Sequence, residues 1–248
     1  MTNRSAGDPS RTAVASQTGV AMLYGVEQTV DLDRYPLDCR DVPGLLAVIE
    51  HARDELATTG LVVVPEFLRP EAVVGIAAEA LLDASAPRLT AYDRIPGTAA
   101  VKQLYRWEPL LGFVSRVVGE PVHRSADALA AMTVQMDPPG TGQEWHFDMS
   151  EYTVELHIVA PEQGGVLEYS PLPMDFPPAG PPGVRRRTVQ LLATAPGALV
   201  LYPGRRARHR ITLVRGNIPR VVVSMAFHLR PGQRLNDQVR RRYFGRTE

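Results

Sequence analysis

The first half of the chain carries apolar residues at helical spacing. Between Asp41 and Thr59 they lie on one face of a predicted helix, at Leu45, Val48, Ile49, Ala52 and Leu56. We expect Asp41 to cap this helix and Gly60 to end it. A second helix is predicted from Pro70 to about Ala84, with proline in its first turn, and a third from Pro109 to Gly119. Residues 61–68 predict a short buried strand, and residues 85–106 an irregular loop.

From residue 131 onward the pattern changes to short apolar stretches separated by proline and glycine. Eight strands are predicted, at residues 131–137, 144–148, 152–160, 164–170, 184–193, 197–202, 208–215 and 220–229. Short strands at this spacing favour an antiparallel sandwich or barrel over alternating βαβ units. Because the helices precede the strands, we expect an α+β, mainly β fold in which helices buttress one sheet. The segment 171–183 is too rich in proline for regular structure and is expected to be a loop.

The length of 248 residues suits one large domain or two small ones. We expect a flexible tail over residues 1–24, one domain over 25–235 and a basic tail over 236–248. Cys39 is the single cysteine, so no internal disulfide can form. No apolar run is long enough for a membrane span or typical of a signal peptide. The sequence therefore predicts a cytoplasmic protein without a membrane anchor.

Charge is distributed unevenly along the chain, although the formal net charge is zero. From Pro181 onward there are 15 arginines against two acidic residues, Asp237 and Glu248. These arginines could pair with acids within the fold or across a homodimer. They could instead form a basic face for an anionic substrate, a nucleic acid or an acidic carrier protein. No basic strand interleaved with aromatic residues is present to stack bases, which disfavours nucleic acid.

Candidate metal ligands occur in the stretch QEWHFDMS. His146 and Asp148 are two residues apart on a predicted strand, so both side chains should project to one side. An imidazole and a carboxylate in this arrangement can hold a divalent metal, but a third ligand must come from elsewhere. Among the six histidines, His209 follows a loop and begins another predicted strand. Arg220 lies eleven residues later, at the start of the final strand.

In this order, and with the flanking sequences EWHFD, APEQGGVLEYSP and PGALVLYPGRRARHRITLV, these residues resemble the Fe(II)/2-oxoglutarate-dependent dioxygenases. The similarity spans roughly residues 45–230 and is greatest to the small bacterial amino-acid hydroxylases and halogenases. It implies a double-stranded β-helix, a jelly-roll or cupin-like core of about eight strands. It also implies Fe(II), 2-oxoglutarate and O2 as cofactor and cosubstrates, with His146, Asp148 and His209 as the iron ligands.

The resemblance assigns the far carboxylate of 2-oxoglutarate to Arg220, whose planar fork can bind a carboxylate through two donors. Ser224, four residues further along the same strand, is expected to assist, with Thr212 and Thr153 as weaker candidates. If Arg220 does not serve, Arg215 is the alternative.

Asp148 also bears on the reaction. Related halogenases have a small residue at this position, so that chloride can bind the iron. The carboxylate therefore favours hydroxylation of a small molecule, such as an amino acid or a derivative in secondary metabolism. Desaturation and ring closure use the same ligands and stay open, as does the same chemistry on a substrate tethered to a carrier protein. A non-catalytic cupin-like metal-binding protein would have no need of Arg220.

Other polar residues near these positions are candidates for substrate binding. On the strand YTVELHIVA, Glu155 and His157 share one face, which we expect to be exposed to solvent. If it lines the barrel mouth instead, Glu155 could hold an amino group and His157 an oxygen of substrate or cosubstrate. Gln143 and Arg208 are further candidates because they lie beside the proposed ligands. Trp145 and Phe147 are expected to pack on the face opposite His146.

Overall fold

The computed structural model describes residues 25–39, 41–82, 88–170 and 189–248. The predicted tail over residues 1–24 and the predicted loop over 171–183 lie outside these ranges, and the single-domain organisation stays a prediction. No helix within the described ranges is both long and apolar enough to cross a membrane.

Six α-helices and eleven strands are assigned in the described ranges. The helices are α1 (Val26–Thr29), α2 (Pro43–Thr59), α3 (Pro70–Leu81), α4 (Ala100–Arg106), α5 (Glu108–Val118) and α6 (Asp237–Phe244). The strands are β1 (Val62–Val64), β2 (Leu89–Thr90), β3 (His123–Arg124), β4 (Met132–Asp137), β5 (Gln143–His146), β6 (Tyr152–Val159), β7 (Leu167–Ser170), β8 (Gln190–Leu192), β9 (Leu199–Tyr202), β10 (Arg208–Ile211) and β11 (Arg220–His228).

The three predicted helices are present, but the start of the first is corrected. Helix α2 begins at Pro43 after Val42, so Asp41 is not its cap; proline pre-forms the first turn without a side-chain cap. Gly60 ends α2 with a left-handed φ of 76°, as predicted. The expectation of an irregular loop over 85–106 is wrong, because α4 lies within it. This helix has only seven residues, of which Leu104 and Tyr105 are buried, so tertiary packing stabilises it more than local periodicity.

The strands form two antiparallel sheets. The larger runs in the order β1-β9-β6-β11-β4-β2, with β3 also pairing β11. The smaller runs in the order β5-β10-β7-β8. The predicted jelly-roll fold of mainly β class is confirmed, although neither sheet closes on itself.

The two faces of the larger sheet have different neighbours. One face packs against the helices, and its apolar contributors include Val154 and Leu156 of β6 and Val223 and Met225 of β11. The other face meets the smaller sheet, where Tyr202 of β9 packs in a second cluster with Tyr169 and Ile211. Because side chains alternate along a strand, odd-numbered residues of β6 and even-numbered residues of β11 point between the sheets. The prediction that helices buttress one sheet is confirmed.

The polar face of β6 is buried, so the expectation of a solvent-exposed face is wrong. Thr153, Glu155 and His157 are 2%, 8% and 7% exposed. Strand β6 lies between β9 and β11, and its polar face points into the space between the sheets. The residue pattern of a single strand does not show which of its faces a second sheet will cover.

The predicted basic C-terminal tail contains helix α6. The Asn236 side chain caps it by accepting from the Val239 amide at 3.0 Å. Arg240 then binds the fully buried carboxylate of Asp127, with a distance of 2.8 Å from Nη2 to Oδ2. The helix is therefore tied to the loop that precedes β4.

Candidate metal centre

Strands β5 and β10 bring the two predicted histidine ligands together. His146 and His209 are directly opposite in the antiparallel register, and their ring centroids are 4.3 Å apart. The carboxylate Oδ1 of Asp148 lies 3.8 Å from Nε2 of His146 and 3.6 Å from Nε2 of His209. The three groups thus offer two nitrogens and one oxygen to a common point, as a divalent cation requires.

Asp148 does not lie on a strand, which corrects the predicted strand over 144–148. Strand β5 ends at His146, and the Asp148 amide donates instead to the carbonyl of Gly204 at 3.0 Å. A Cβ at position 204 would lie 2.8 Å from Cβ of Asp148 and 2.7 Å from Oγ1 of Thr153. Only glycine allows the 204 loop to approach Asp148 this closely.

The orientation of the two imidazole rings leaves Nε2 of each histidine available to bind a metal. Nδ1 of His146 lies 2.8 Å from the carbonyl oxygen of Glu144, and Nδ1 of His209 lies 3.0 Å from that of Ala207. A carbonyl can only accept, so each Nδ1 carries the hydrogen. Each Nε2 therefore presents its lone pair towards Asp148, the form in which imidazole binds a metal.

The carboxylate of Asp148 is oriented by a hydroxyl pair. Oγ1 of Thr153 donates to Oδ2 of Asp148 at 2.6 Å, and Oγ of Ser150 lies 2.7 Å from Oγ1 of Thr153. Because one carboxylate oxygen is bound by Thr153, the other faces the two histidines. The sequence makes Thr153 a weaker candidate for binding the cosubstrate carboxylate. In the structure its hydroxyl binds the carboxylate of Asp148 instead.

Arg220 lies at the start of β11 and points between the sheets. Its side chain is 2% exposed; Nη1 donates to Asp137 Oδ2 and Nη2 to Glu155 Oε2, each at 3.2 Å. Its Nε has no hydrogen-bond partner among the described residues. The predicted cosubstrate arginine is therefore buried between the two sheets, but two carboxylates already contact it.

A cavity of about 600 Å³ opens onto the metal centre. Ser224, Gln143 and Glu155, all predicted candidates, line it together with the three proposed ligands. Phe147 also lines it, which corrects its expected position on the opposite face: β5 has ended before this residue. Another part of the wall is formed by α6, through Arg242, Tyr243 and Phe244, and no local pattern in the chain predicts this contribution.

Four predicted residues do not line the cavity: Arg208, Thr212, His157 and Arg220. The first two have other contacts. The guanidinium of Arg208 stacks over Trp145, 5.5 Å from the ring centroid, and the hydroxyl of Thr212 accepts from the Val166 amide at 2.9 Å. Arg208 has the opposite parity to His209 on β10, so it points away from the space between the sheets, and Thr212 lies just beyond the end of this strand. Trp145 lies on that outer face, as predicted.

Burial sets the protonation of two groups beside Glu155. It lowers the pKa of His157 to about 3, with a further contribution from the positive charge of Arg220, so this imidazole is neutral. Burial also raises the pKa of Tyr202 well above its ordinary value, and the carboxylates of Asp148 and Glu155 act in the same direction. The Tyr202 hydroxyl therefore keeps its proton and donates to Oε1 of Glu155 at 3.2 Å.

Two antiparallel sheets with a two-histidine, one-carboxylate cluster between them define the architecture of the 2-oxoglutarate-Fe(II) oxygenases. Comparison with known families is more specific: a sequence profile described as Halogenase D matches residues 95–238, and the chain belongs to this family. The predicted resemblance to the Fe(II)/2-oxoglutarate oxygenases is thereby confirmed at the level of family and fold. Among curated proteins no sequence match was found.

Solved structures share the fold at low sequence identity. The epimerase SnoN from nogalamycin biosynthesis, described as non-heme and α-ketoglutarate dependent, has a TM-score of 0.59 and 17% identity over 74% of this chain and 84% of its own. A prolyl-4-hydroxylase of Pseudomonas putida has a TM-score of 0.51 and 16% identity over 73% and 94%. HygX of Streptomyces hygroscopicus, solved with nickel, 2-oxoglutarate and hygromycin B, has a TM-score of 0.53 and 14% identity over 72% and 86%.

Proposed function

We propose that this protein is an Fe(II)- and 2-oxoglutarate-dependent oxygenase that hydroxylates a C–H bond of a small molecule. The observation that carries the proposal is the convergence of Nε2 of His146, Nε2 of His209 and Oδ1 of Asp148. These atoms would hold the metal from one side and leave its other positions open to the cavity. A ferrous ion bound there would activate O2 for C–H cleavage, with O2 as the oxidant and 2-oxoglutarate as the cosubstrate that is oxidised to succinate and CO2.

The chain's own groups prepare the site for the cosubstrate. Arg220 would hold the far carboxylate, because its fork is buried on the interior face of β11 that also carries Ser224. Burial excludes water from the guanidinium of Arg220, which strengthens an ion pair there and favours a cosubstrate with a second carboxylate.

Hydroxylation is favoured over halogenation by Asp148 and its surroundings. Thr153 binds the carboxylate and Gly204 admits it, so a complete set of contacts supports the ligand in one orientation. With this carboxylate on the metal, no protein ligand is missing for a halide to replace. Halogenation is the second candidate because the matching family profile is described as Halogenase D.

The cavity supports a free amino acid or a derivative as substrate. Its volume of about 600 Å³ lies within the range of small-molecule sites. Arg88 and Arg242 offer positive groups at its wall and Glu144 a negative one, which complements a zwitterion. Desaturation, cyclisation and a carrier-tethered substrate fit the same metal centre, so product analysis has to distinguish them.

The test is turnover with a panel of free amino acids in the presence of Fe(II), 2-oxoglutarate, chloride and air. We expect succinate formation that depends on one substrate class and a product heavier by one oxygen atom. Asp148→Ala should abolish both, whereas Arg208→Ala, outside the cavity, should retain them. A chlorinated main product would contradict hydroxylation, and absence of substrate-dependent succinate from the whole panel would contradict the proposed amino-acid substrate.

A further inference from the structure

Glu155 lies between the metal centre and Arg220. Along β6 it follows Thr153, which orients Asp148, by two residues, and it pairs in register with Ser224 of β11. Its carboxylate lines the cavity, is contacted by Arg220 at 3.2 Å and is 8% exposed as a whole residue. The buried carboxylate of Glu155 is therefore bound to the guanidinium of Arg220, which is the group proposed to bind the cosubstrate carboxylate.

Arg220 already contacts two carboxylates, those of Asp137 and Glu155. An incoming carboxylate gains little from an arginine that already has two anionic partners, so one of them has to leave. Asp137 is the fixed partner: it is fully buried and also accepts from Arg88, Gln135 and Gln143. Within the described part of the chain, Glu155 has one other hydrogen bond, from the hydroxyl of Tyr202. Glu155 is therefore the partner that can be exchanged.

A second donor for Glu155 is present beside it. Nε2 of His157 is buried without a hydrogen-bond partner among the described residues and lies 3.5 Å from Oε2 of Glu155. Nδ1 of the same ring contacts the hydroxyl of Thr194. If this hydroxyl donates to Nδ1, the hydrogen is on Nε2 and points at a carboxylate; the other tautomer would set a lone pair against that carboxylate. The neutral ring thus offers one unused donor.

We propose that Glu155 is an exchangeable carboxylate that moves from Arg220 to Nε2–H of His157 when the cosubstrate binds. This inference rests on the proposed function. The far carboxylate of 2-oxoglutarate takes the Nη2 donors and the unused Nε–H of Arg220, while Glu155 keeps the Tyr202 hydroxyl and gains the His157 donor. Affinity for a dicarboxylic 2-oxo acid is then set by this exchange, whereas affinity for a monocarboxylic one is not.

The first test compares 2-oxoglutarate with pyruvate, which carries the same metal-binding 2-oxo acid group but no far carboxylate. Calorimetric titration of the Co(II)-loaded protein measures both dissociation constants without turnover. Glu155→Gln keeps the shape and removes the competing charge, so it should tighten 2-oxoglutarate binding about tenfold and leave pyruvate within about twofold. Unchanged or weaker 2-oxoglutarate binding would overturn the proposal.

The second test removes the alternative donor. His157→Phe should weaken 2-oxoglutarate binding about tenfold without affecting pyruvate, since the displaced Glu155 loses its new partner. In the double variant Glu155→Gln/His157→Phe this weakening should disappear, because residue 155 then carries no charge that needs a new hydrogen-bond donor. Equal weakening of both 2-oxo acids, or persistence of the effect in the double variant, would show a merely structural role.

The control variant separates this inference from the proposed function. Arg220→Ala should weaken 2-oxoglutarate selectively over pyruvate if the arginine holds the far carboxylate. If it does so while Glu155→Gln has no effect, only the exchange is wrong. If Arg220→Ala has no selective effect, the cosubstrate role of Arg220 is wrong as well.

Discussion

At the scale of single residues, Asp148 carries both the metal-binding hypothesis and the choice of reaction. Its type and its spacing from His146 are readable in the sequence, as is the later position of His209. Its orientation is not readable, because it depends on Thr153 and on the Gly204 loop, which is 56 residues further along the chain. The sequence can therefore name the ligands before it can explain what holds them.

Replacing Thr153 tests that orientation. Thr153→Val preserves the shape of the side chain but removes the hydroxyl that binds Oδ2 of Asp148. We expect Co(II) affinity to fall by about tenfold to a hundredfold, the range for partners that orient metal ligands. Calorimetric titration with Co(II) measures it, and Thr153→Ser, which keeps the hydroxyl, should bind close to wild type. Equal affinity of the valine variant would remove Thr153 from the account.

The failure of two candidate residues has a simple geometric reason. Arg208 and Thr212 lie close in sequence to His209, yet an odd number of positions separates each of them from it on the predicted strand 208–215. Alternation along the strand already separates them from an inward-facing His209. Conversely, Glu155 and His157 lie on the same face of β6 as Thr153. This face is interior because the smaller sheet covers it, which the sequence of β6 alone does not reveal.

At the scale of elements, long periodic segments were predictable and short ones were not. Helices α2, α3 and α5 and the longer strands follow local patterns. Strands β2 and β3 have two residues each and helix α4 has seven, so their formation depends on partners distant in sequence. Helix α6 has no buried residue, and its Arg240 pairs with Asp127 from a distant part of the chain.

The link between Arg240 and Asp127 should control the docking of α6. Arg240→Gln removes the charged partner of a fully buried carboxylate, so the helix should detach more often while the sheets stay folded. Hydrogen exchange followed by mass spectrometry should show faster exchange over 237–244 and little change over β6. Arg241→Gln, an exposed neighbour on the same helix, serves as the control. Identical exchange in both variants would mean that the ion pair does not hold the helix.

At the scale of the whole molecule, much of the uneven charge is resolved inside the fold. Of the twelve arginines after Pro181 in the described ranges, five pair with acids from the first 180 residues. These five arginines make six ion pairs: Arg205–Glu151, Arg210–Glu168, Arg220–Asp137, Arg220–Glu155, Arg240–Asp127 and Arg246–Asp93. The interpretation that the two regions pair within the fold is supported for these residues. An acidic carrier protein or a second copy of the chain stays a proposal.

The site is also a property of the whole molecule, since both sheets contribute to it. His146 and His209 come from the smaller sheet, whereas Glu155 and Arg220 come from the larger one. Each sheet alone offers half of what a metal and a dicarboxylic cosubstrate need. The residue patterns of individual strands therefore predict the metal ligands. They do not predict that Arg220 pairs with two carboxylates, because that pairing depends on how the elements pack together.

The central claim is that His146, Asp148 and His209 hold an Fe(II) ion that binds 2-oxoglutarate. Its most direct test is anaerobic titration of the protein with Fe(II) and 2-oxoglutarate, monitored by visible absorption. The wild type should develop the charge-transfer band of a metal-bound 2-oxo acid, and His209→Ala should not. Arg220→Ala should need at least about tenfold more 2-oxoglutarate, because a carboxylate loses a charged partner. Arg210→Ala, on the outer face of the smaller sheet, should titrate like the wild type. A wild type without the band, or a His209→Ala variant that develops it at the same concentrations, would contradict the account.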